Sequence, residues 1–214
     1  MSFGFFALFL AASVSPVVPA GETIPLVDIR SVDRTIVIEL RYATAKNVAR
    51  RPLYPRGTRA FVRPEVAQRL AIAQAFLRRR EHGLKIWDAY RPHSAQLELW
   101  QAVGMNDYVA DPKTTNGSLH SWGLAVDATL VDSRKRPVIM PTDFDDFTPA
   151  AFWHYQGGNE NVRINLRLLQ AAMAQGGFLG LRTEWWHFVA SDWQNYVPDP
   201  GAFSPREKPS NNNL

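Results

Sequence analysis

Two short segments of this chain, far apart in sequence, carry side chains of the kinds that bind metal ions. The first, residues 118–127, contains His120 and Asp127, and the second contains Glu184 and His187. Two imidazoles and one carboxylate make a three-ligand set that can hold Zn²⁺ and leave its fourth position open to water. The remaining carboxylate is then available as a base. A fold for this chain must bring the two segments together.

The composition is that of a globular protein without disulfides. The chain has 214 residues, 46% of them hydrophobic and 21% charged, which is enough for one sizeable domain. The net charge is only +4 and the basic residues fall in short scattered clusters, so no basic stripe predicts a nucleic-acid interface. Cysteine is absent, and a zinc site must therefore use nitrogen and oxygen ligands.

Residues 1–20 are typical of an export signal. The run from Phe3 to Val14 is almost continuously apolar, about the length of a signal-peptide core and too short to span a bilayer. The segment Val18-Pro19-Ala20 supplies the residues that a signal peptidase would recognise, and we expect the signal to be cleaved after Ala20. The expected location of the mature protein is the periplasm. The segment lacks Lys and Arg, which leaves an uncleaved anchor as the alternative. Once the signal is removed, we expect no stable membrane insertion.

The remaining sequence predicts an α+β domain over residues 21–203. Hydrophobic periodicity and Gly or Pro punctuation separate the predicted elements, and no regular strand–helix–strand rhythm is present. We therefore expect a mostly antiparallel central sheet flanked by helices, and a disordered polar tail over 204–214. The predicted strands are 35–40, 84–90, 124–131 and 185–190, and the predicted helices are 64–82, 93–102 and 161–175.

The spacing of the second segment poses a geometric question. Residues three apart on a regular strand point to opposite faces, so Glu184 and His187 can share a site only with a bulge or with Glu184 outside the strand. We expect Glu184 to be the last loop residue and His187 to lie on the strand. The neighbours Trp185 and Trp186 should then face opposite ways, one into the core and one into the site.

The chain resembles the zinc D-Ala-D-Ala metallopeptidases and, within them, the VanX-like D-alanyl-D-alanine dipeptidases of peptidase family M15. The resemblance spans about residues 25–195 and implies the D-Ala-D-Ala metallopeptidase, or hedgehog-like, fold. The motifs that carry it are Ser-x-His-x-x-Gly-x-Ala-x-Asp at 118–127, Glu-x-x-His at 184–187, Tyr-Ala-Thr-x-x-Asn at 42–47, Trp-Asp-x-Tyr-Arg-Pro at 87–92 and Phe-Asp at 144–145.

That resemblance implies one Zn²⁺ per chain, held by His120, Asp127 and His187. Glu184 would be the general base toward a zinc-bound water, and Arg91 would stabilise the oxyanion of the tetrahedral intermediate. The implied reaction is hydrolysis of the D-alanyl-D-alanine dipeptide to two D-alanines in cell-wall dipeptide turnover.

Three further residues are implied to contact this small D,D-dipeptide. Asp145 would pair with its free ammonium group, and Ser118 and Tyr90 would line its pocket. One departure from the family pattern is Leu119, which stands where some relatives have serine immediately before the first ligand. The side chain at this position bears on substrate preference rather than on the zinc site.

Several alternatives stay open at this point. The same chemistry could serve a D,D-carboxypeptidase or an L,D-endopeptidase that acts on peptidoglycan peptides. A zinc-binding domain without catalysis, or a wall-binding module that uses surface aromatics, would need neither a base nor an oxyanion donor. The dipeptidase activity itself could serve glycopeptide resistance or the recycling of wall-derived dipeptides. The export signal favours recycling, and the sequence leaves the oligomeric state open.

Overall fold

A computed structural model of the chain describes residues 25–104, 108–112 and 117–197. The predicted signal at 1–20 and the predicted tail at 204–214 lie outside these described residues. Within the described part, no helix combines the length and the apolar character needed to cross a bilayer.

The described residues form a mixed fold of helices and two sheets. The helices are α1 (Ile29–Val32), α2 (Pro64–Arg78), α3 (His93–Val103) and α4 (Glu160–Gln175). The strands are β1 (Val27–Asp28), β2 (Val37–Ile38), β3 (Phe61–Val62), β4 (His82–Asp88), β5 (Ala125–Asp132), β6 (Phe178–Leu181) and β7 (Glu184–Ala190).

The central sheet has five strands in the order β2-β4-β5-β7-β6, and β1 pairs with β3 separately. The edge pair β2–β4 is parallel, while β4–β5, β5–β7 and β6–β7 are antiparallel. The α+β class and the mostly antiparallel sheet expected from the sequence are therefore confirmed.

Helices α2 and α4 pack against each other and against the central strands. Pro64 occupies the first turn of α2, and Asn159 caps α4 by accepting hydrogen bonds from the first backbone N–H groups of the helix. Leu70 of α2 and Leu169 of α4 are both fully buried in the hydrophobic core. Because β5 is covered on both faces, its residues are buried from Ala125 onward, and Asp132 is the first to be partly exposed.

Several predicted boundaries were wrong for local reasons. Helix α2 ends at Arg78 rather than 82, because a turn with Glu81 at φ 58° reverses the chain into β4. The strand predicted at 35–40 is reduced to two paired residues of an edge strand, and β6 was not predicted at all. The four residues of β6 are too few for a clear period-2 pattern.

One end of the central sheet gathers the ligand-type side chains. Asp127 of β5 lies opposite His187 of β7 and, on its other side, opposite Asp88 of β4. A 3₁₀ helix at Leu119–Trp122 leads into β5 and ends at Gly123, which has φ 67°. A Cβ added at Gly123 would lie 2.7 Å from a Leu26 methyl group, so this turn needs glycine for its backbone and for its space.

Candidate metal centre

Three side chains from the two sequence segments converge on one point. His120 Nε2 lies 3.2 Å from His187 Nδ1 and 3.4 Å from Asp127 Oδ1, and the edge from His187 Nδ1 to Asp127 Oδ1 is 3.0 Å. A tetrahedral Zn²⁺ with bonds of about 2.0–2.1 Å requires ligand atoms roughly 3.3 Å apart. The side chains present therefore fit zinc without rearrangement, and together they offer three of its four ligands.

A backbone hydrogen bond fixes which nitrogen of His120 carries the lone pair. His120 Nδ1 lies 2.8 Å from the carbonyl oxygen of Ala89, which can only accept a hydrogen bond. Nδ1 therefore donates and Nε2 keeps its lone pair for a metal, the arrangement that metal-binding histidines usually show. The pKa of Asp127 would be raised by burial, but His120 and His187 hold it well below its usual value. Asp127 is thus a carboxylate.

Ser118, predicted to contact substrate, lies at the start of the 3₁₀ helix and lines the cavity beside the triad. Its hydroxyl oxygen accepts a hydrogen bond from the backbone N–H of His120 at 3.3 Å. Ser118 therefore also orders the turn that presents the first ligand. Leu119 lines the same cavity, at the position where the sequence departs from the family pattern.

Glu184 is the first residue of β7, so its predicted position in the loop was wrong. The alternative of a strand irregularity is the one that occurs: Phe188 pairs with Gly180, but Glu184 already pairs with Leu181, so the register shifts between them. This shift lets both Glu184 and His187 line one cavity although they are three residues apart.

Glu184 is 7% exposed, and its Oε1 is buried and has no hydrogen-bond partner among the described residues. Burial raises its pKa to about 8, the nearby Asp127 and Asp145 carboxylates add to the rise, and His187 and Arg91 oppose it. An unpaired carboxyl oxygen in a closed site is costly for a fold, and it is typical of a group held ready for a ligand or a proton.

Arg91 lines the cavity and is only 6% exposed. Its Nη2 lies 3.7 Å from Asp127 Oδ2, and its guanidinium lies 4.8 Å from the centre of the Tyr42 ring. Burial acts to lower the pKa of Arg91, but its interactions with Asp88 and, to a smaller extent, with Tyr42, Tyr54 and Asp127 raise it well above its usual value. A permanent cation therefore sits beside the candidate metal ligands.

Asp145 also lines the cavity and is partly buried. Its Oδ1 accepts a hydrogen bond from the Tyr42 hydroxyl at 3.1 Å and its Oδ2 accepts one from the Val48 N–H at 3.0 Å. Burial raises its pKa to about 7; the Val48 hydrogen bond acts against this and the charge of Asp127 adds to it. Asp145 thus lies in the same cavity as Arg91 and the metal triad, and each of its oxygens accepts one hydrogen bond and can accept another.

Tyr90 is not brought into the site, since it is absent from the cavity wall that the structure describes. The prediction for the tryptophan pair is confirmed: Trp186 lines the cavity, whereas Trp185 lies in the core and donates a hydrogen bond to Thr142. Sequence reasoning missed Tyr42 as a cavity residue, although it lies in the Tyr-Ala-Thr motif.

The cavity has a volume of about 420 Å³. Its lining combines the polar residues described above with apolar side chains. The apolar residues include Leu99, Val109, Phe147, Leu181 and Val189. A mostly apolar cleft with a few convergent polar groups is typical of a small-molecule site. The candidate three-ligand centre, the buried carboxyl group of Glu184 and the fixed cation are together the parts of a metal-dependent hydrolase.

Comparison with known proteins narrows this class to one family. The family model described as D-ala-D-ala dipeptidase, Peptidase_M15, matches residues 22–202. The chain therefore belongs to the D-Ala-D-Ala dipeptidase family of M15 metallopeptidases.

Curated relatives carry the same name. A D-alanyl-D-alanine dipeptidase of Escherichia coli K12 is 35% identical over 175 residues, covering 82% of this chain and 89% of the relative. Dipeptidases of Enterococcus faecium and Enterococcus faecalis are 26% and 25% identical, each over 72% of this chain and 85% of its own length.

Proposed function

We propose that the protein hydrolyses the dipeptide D-alanyl-D-alanine to two molecules of D-alanine with the help of one zinc ion. The observation that carries this proposal is the buried Glu184 carboxyl group, unpaired at Oε1 and sharing a cavity with the His120–Asp127–His187 triad. The family supports the peptidase class, and the names of the relatives suggest the dipeptide.

His120, Asp127 and His187 would hold the metal. Bound Zn²⁺ supplies Lewis acidity, which makes a coordinated water more acidic and polarises a carbonyl group. The residues around it must then move protons, stabilise the developing charge and hold the substrate.

Glu184 is suited to proton transfer. Its carboxyl group has a pKa of about 8 in the fold, near enough to neutrality to accept a proton and to release it again. In the proposed reaction Glu184 takes a proton from the attacking water and passes it to the departing amine. Its burial keeps bulk water from competing for that proton.

Arg91 is suited to the oxygen that becomes negative when water adds to the carbonyl carbon. It bears a permanent charge on a planar fork of donors, and its surroundings hold it within the cavity wall. Donors fixed before the reaction need no reorganisation in the transition state, which is why they contribute strongly to catalysis.

Asp145 would bind the free ammonium group of the dipeptide. A blocked or longer peptide cannot neutralise a carboxylate there, so its binding would leave a partly buried charge unpaired. Such a requirement distinguishes a dipeptidase from a carboxypeptidase or an endopeptidase of the same family. Ser118, beside His120 on the cavity wall, is the second proposed substrate contact.

We further propose an exported enzyme that degrades wall-derived dipeptides in the periplasm. The apolar run within residues 1–20 supports export. Cell fractionation tests this: the mature chain should appear in the periplasmic fraction and should begin near residue 21. Recovery of the protein in the cytosol would favour a role on the cytosolic dipeptide pool instead.

The activity is tested with residues 21–214 loaded with one equivalent of zinc. Amine release is measured from D-Ala-D-Ala, from its N-acetylated form and from L-Ala-L-Ala, each with and without chelator. Chelator-sensitive cleavage of free D-Ala-D-Ala alone supports the proposal. Cleavage of the acetylated form moves the protein to the carboxypeptidase class, and cleavage of no substrate contradicts a catalytic role.

A further inference from the structure

Two buried polar residues hold Arg91 from opposite sides, and neither is a metal ligand or a proposed substrate contact. Asp88 and Gln96 both have 0% exposed surface. Asp88 Oδ2 accepts hydrogen bonds from Arg91 Nε at 2.9 Å and from Nη2 at 2.7 Å. Gln96 Oε1 accepts one from Nη1 at 2.8 Å. All three guanidinium nitrogens are therefore anchored.

Asp88 is itself fixed by its surroundings. Its Oδ1 accepts a hydrogen bond from the buried Tyr54 hydroxyl, and its strand position lies directly opposite Asp127. Its Oδ2 also lies 3.4 Å from His120 Nδ1. The same carboxylate that anchors Arg91 thus borders the metal triad, so the distance between the guanidinium and the ligands is set by one buried group.

The Gln96 amide is held in one orientation. Its Nε2 donates to the carbonyl oxygen of Ala110 at 2.7 Å, which leaves Oε1 to face Arg91. Gln96 lies in α3, one helical turn after His93, and Ala110 lines the cavity. The second anchor therefore ties Arg91 to a different element from the strand that carries Asp88.

We propose that Asp88 and Gln96 are positioning residues that form a two-sided clamp for the oxyanion-stabilising Arg91; this inference rests on the proposed function. A guanidinium group has five N–H donors, and the clamp uses one each on Nε, Nη1 and Nη2. One N–H on Nη1 and one on Nη2 remain for a substrate oxygen. Because the three bonded N–H groups are fixed, the guanidinium group cannot rotate. Its two remaining donors therefore keep the orientation in which they can stabilise the transition state.

The decisive variant is Gln96→Met, which keeps a side chain of similar length and removes both hydrogen bonds. We expect kcat for D-Ala-D-Ala to fall about 10- to 100-fold, with KM changed less than about threefold, because the contact to Arg91 matters most in the transition state. Gln96→Glu keeps an oxygen acceptor for Nη1 but loses the donor to the Ala110 carbonyl oxygen, so its kcat should lie between those of the wild type and Gln96→Met.

Gln74→Met is the matched control. Gln74 is also buried and also bonded in both directions, accepting from Leu84 N–H at 2.7 Å and donating to Thr35 at 2.9 Å. Neither of these partners lines the cavity, whereas Arg91 and Ala110, the partners of Gln96, both do. We expect it to lower the melting temperature and to leave kcat near that of the wild type. A merely structural role for Gln96 predicts the same result for both methionine variants.

A binding readout complements the kinetics. The affinity for a phosphinate analogue of the dipeptide, a tetrahedral mimic, should fall in Gln96→Met by about the same factor as kcat/KM, while D-alanine binds unchanged. Asp88→Asn, which keeps the side-chain shape, should likewise weaken binding of the phosphinate and leave binding of D-alanine unchanged.

The outcomes separate the two proposals. If the wild type cleaves D-Ala-D-Ala and Gln96→Met keeps full kcat and full phosphinate affinity, the clamp is wrong and the dipeptidase function stands. If Gln96→Met and Gln74→Met change kcat and the melting temperature alike, the positioning role of Gln96 is wrong. An inactive wild type contradicts the proposed function itself.

Discussion

Asp127 and His187 lie directly opposite each other on adjacent antiparallel strands, and their Oδ1 and Nδ1 atoms are 3.0 Å apart. Opposite residues on an antiparallel pair project from the same face, so sheet register alone brings these two candidate ligands together. The third candidate ligand, His120, comes from outside the strands, from the 3₁₀ helix before β5. Two of the three ligands are therefore placed by the pairing of β5 with β7.

Replacing Arg91 with lysine should separate charge from geometry. Lysine keeps a cation beside Asp88 but cannot make three directed hydrogen bonds and still offer two donors to a substrate. We expect kcat to fall by about 100-fold, within the range for loss of an oxyanion donor, while zinc content measured by atomic absorption stays at one per chain. Arg69→Lys, at an ion pair with Asp192 outside the cavity, is the control. Unchanged kcat in Arg91→Lys would contradict the oxyanion role.

Glu184→Gln tests the proton-transfer role with almost no change in shape. The amide cannot accept a proton from water, so we expect kcat to fall by roughly 10²- to 10⁴-fold. Zinc affinity should stay close to that of the wild type, because Glu184 is not among the three clustered ligands. A variant that lost zinc in equilibrium dialysis would show Glu184 to be a ligand instead.

Zinc should stabilise the fold through its three ligands. At a zinc concentration about 100 times Kd, binding contributes roughly 2.7 kcal/mol and should raise Tm by roughly 5–10 °C in a chain of this size. Differential scanning calorimetry with and without chelator measures the shift. His187→Ala should abolish most of it, whereas His154→Ala, at an exposed histidine outside the triad, should keep it.

The metal-free protein should lose stability between about pH 4 and pH 7 because of Asp145. Burial raises the pKa of this carboxyl group from 3.8 to about 7 in the folded state, so the fold favours its protonated form. That stability is complete below the unfolded pKa and is lost as the pH rises through 7.

Asp145→Asn should remove this loss. Between pH 5 and pH 8 the unfolding free energy of the wild type should decrease by roughly 2 kcal/mol more than that of the variant. Urea unfolding at the two pH values measures the difference, with Asp146→Asn in the same loop as the control. Equal pH slopes in wild type and Asp145→Asn would show that Asp145 is not a source of the effect.

The sequence predicted the parts of the site that depend on residue type and order. His120, Asp127, His187 and Glu184 were identified from their chemistry, and the structure brings all four to one cavity. Zinc chemistry restricts ligand types so strongly that even a short pattern is informative.

The parts that depend on register could not be predicted. The loop position expected for Glu184 was wrong because the register shift between β6 and β7 is set by pairing across the hairpin, which a single strand does not reveal. Gln96 was missed because its partners, Arg91 and Ala110, meet only after α3 packs. A buried glutamine in a helix carries no local signal of what it holds.

The register shift in β7 also constrains how this chain can vary. Glu184 pairs with Leu181 and Phe188 pairs with the adjacent Gly180, so one step along β6 corresponds to four residues along β7. Glu184 and His187 face one cavity because of this irregularity. Adding or deleting one residue in that interval would turn one of the two side chains toward the core, even if every other contact survived. In a lineage that keeps the activity, the spacing between Glu184 and His187 should therefore stay fixed in length while neighbouring loops gain and lose residues freely.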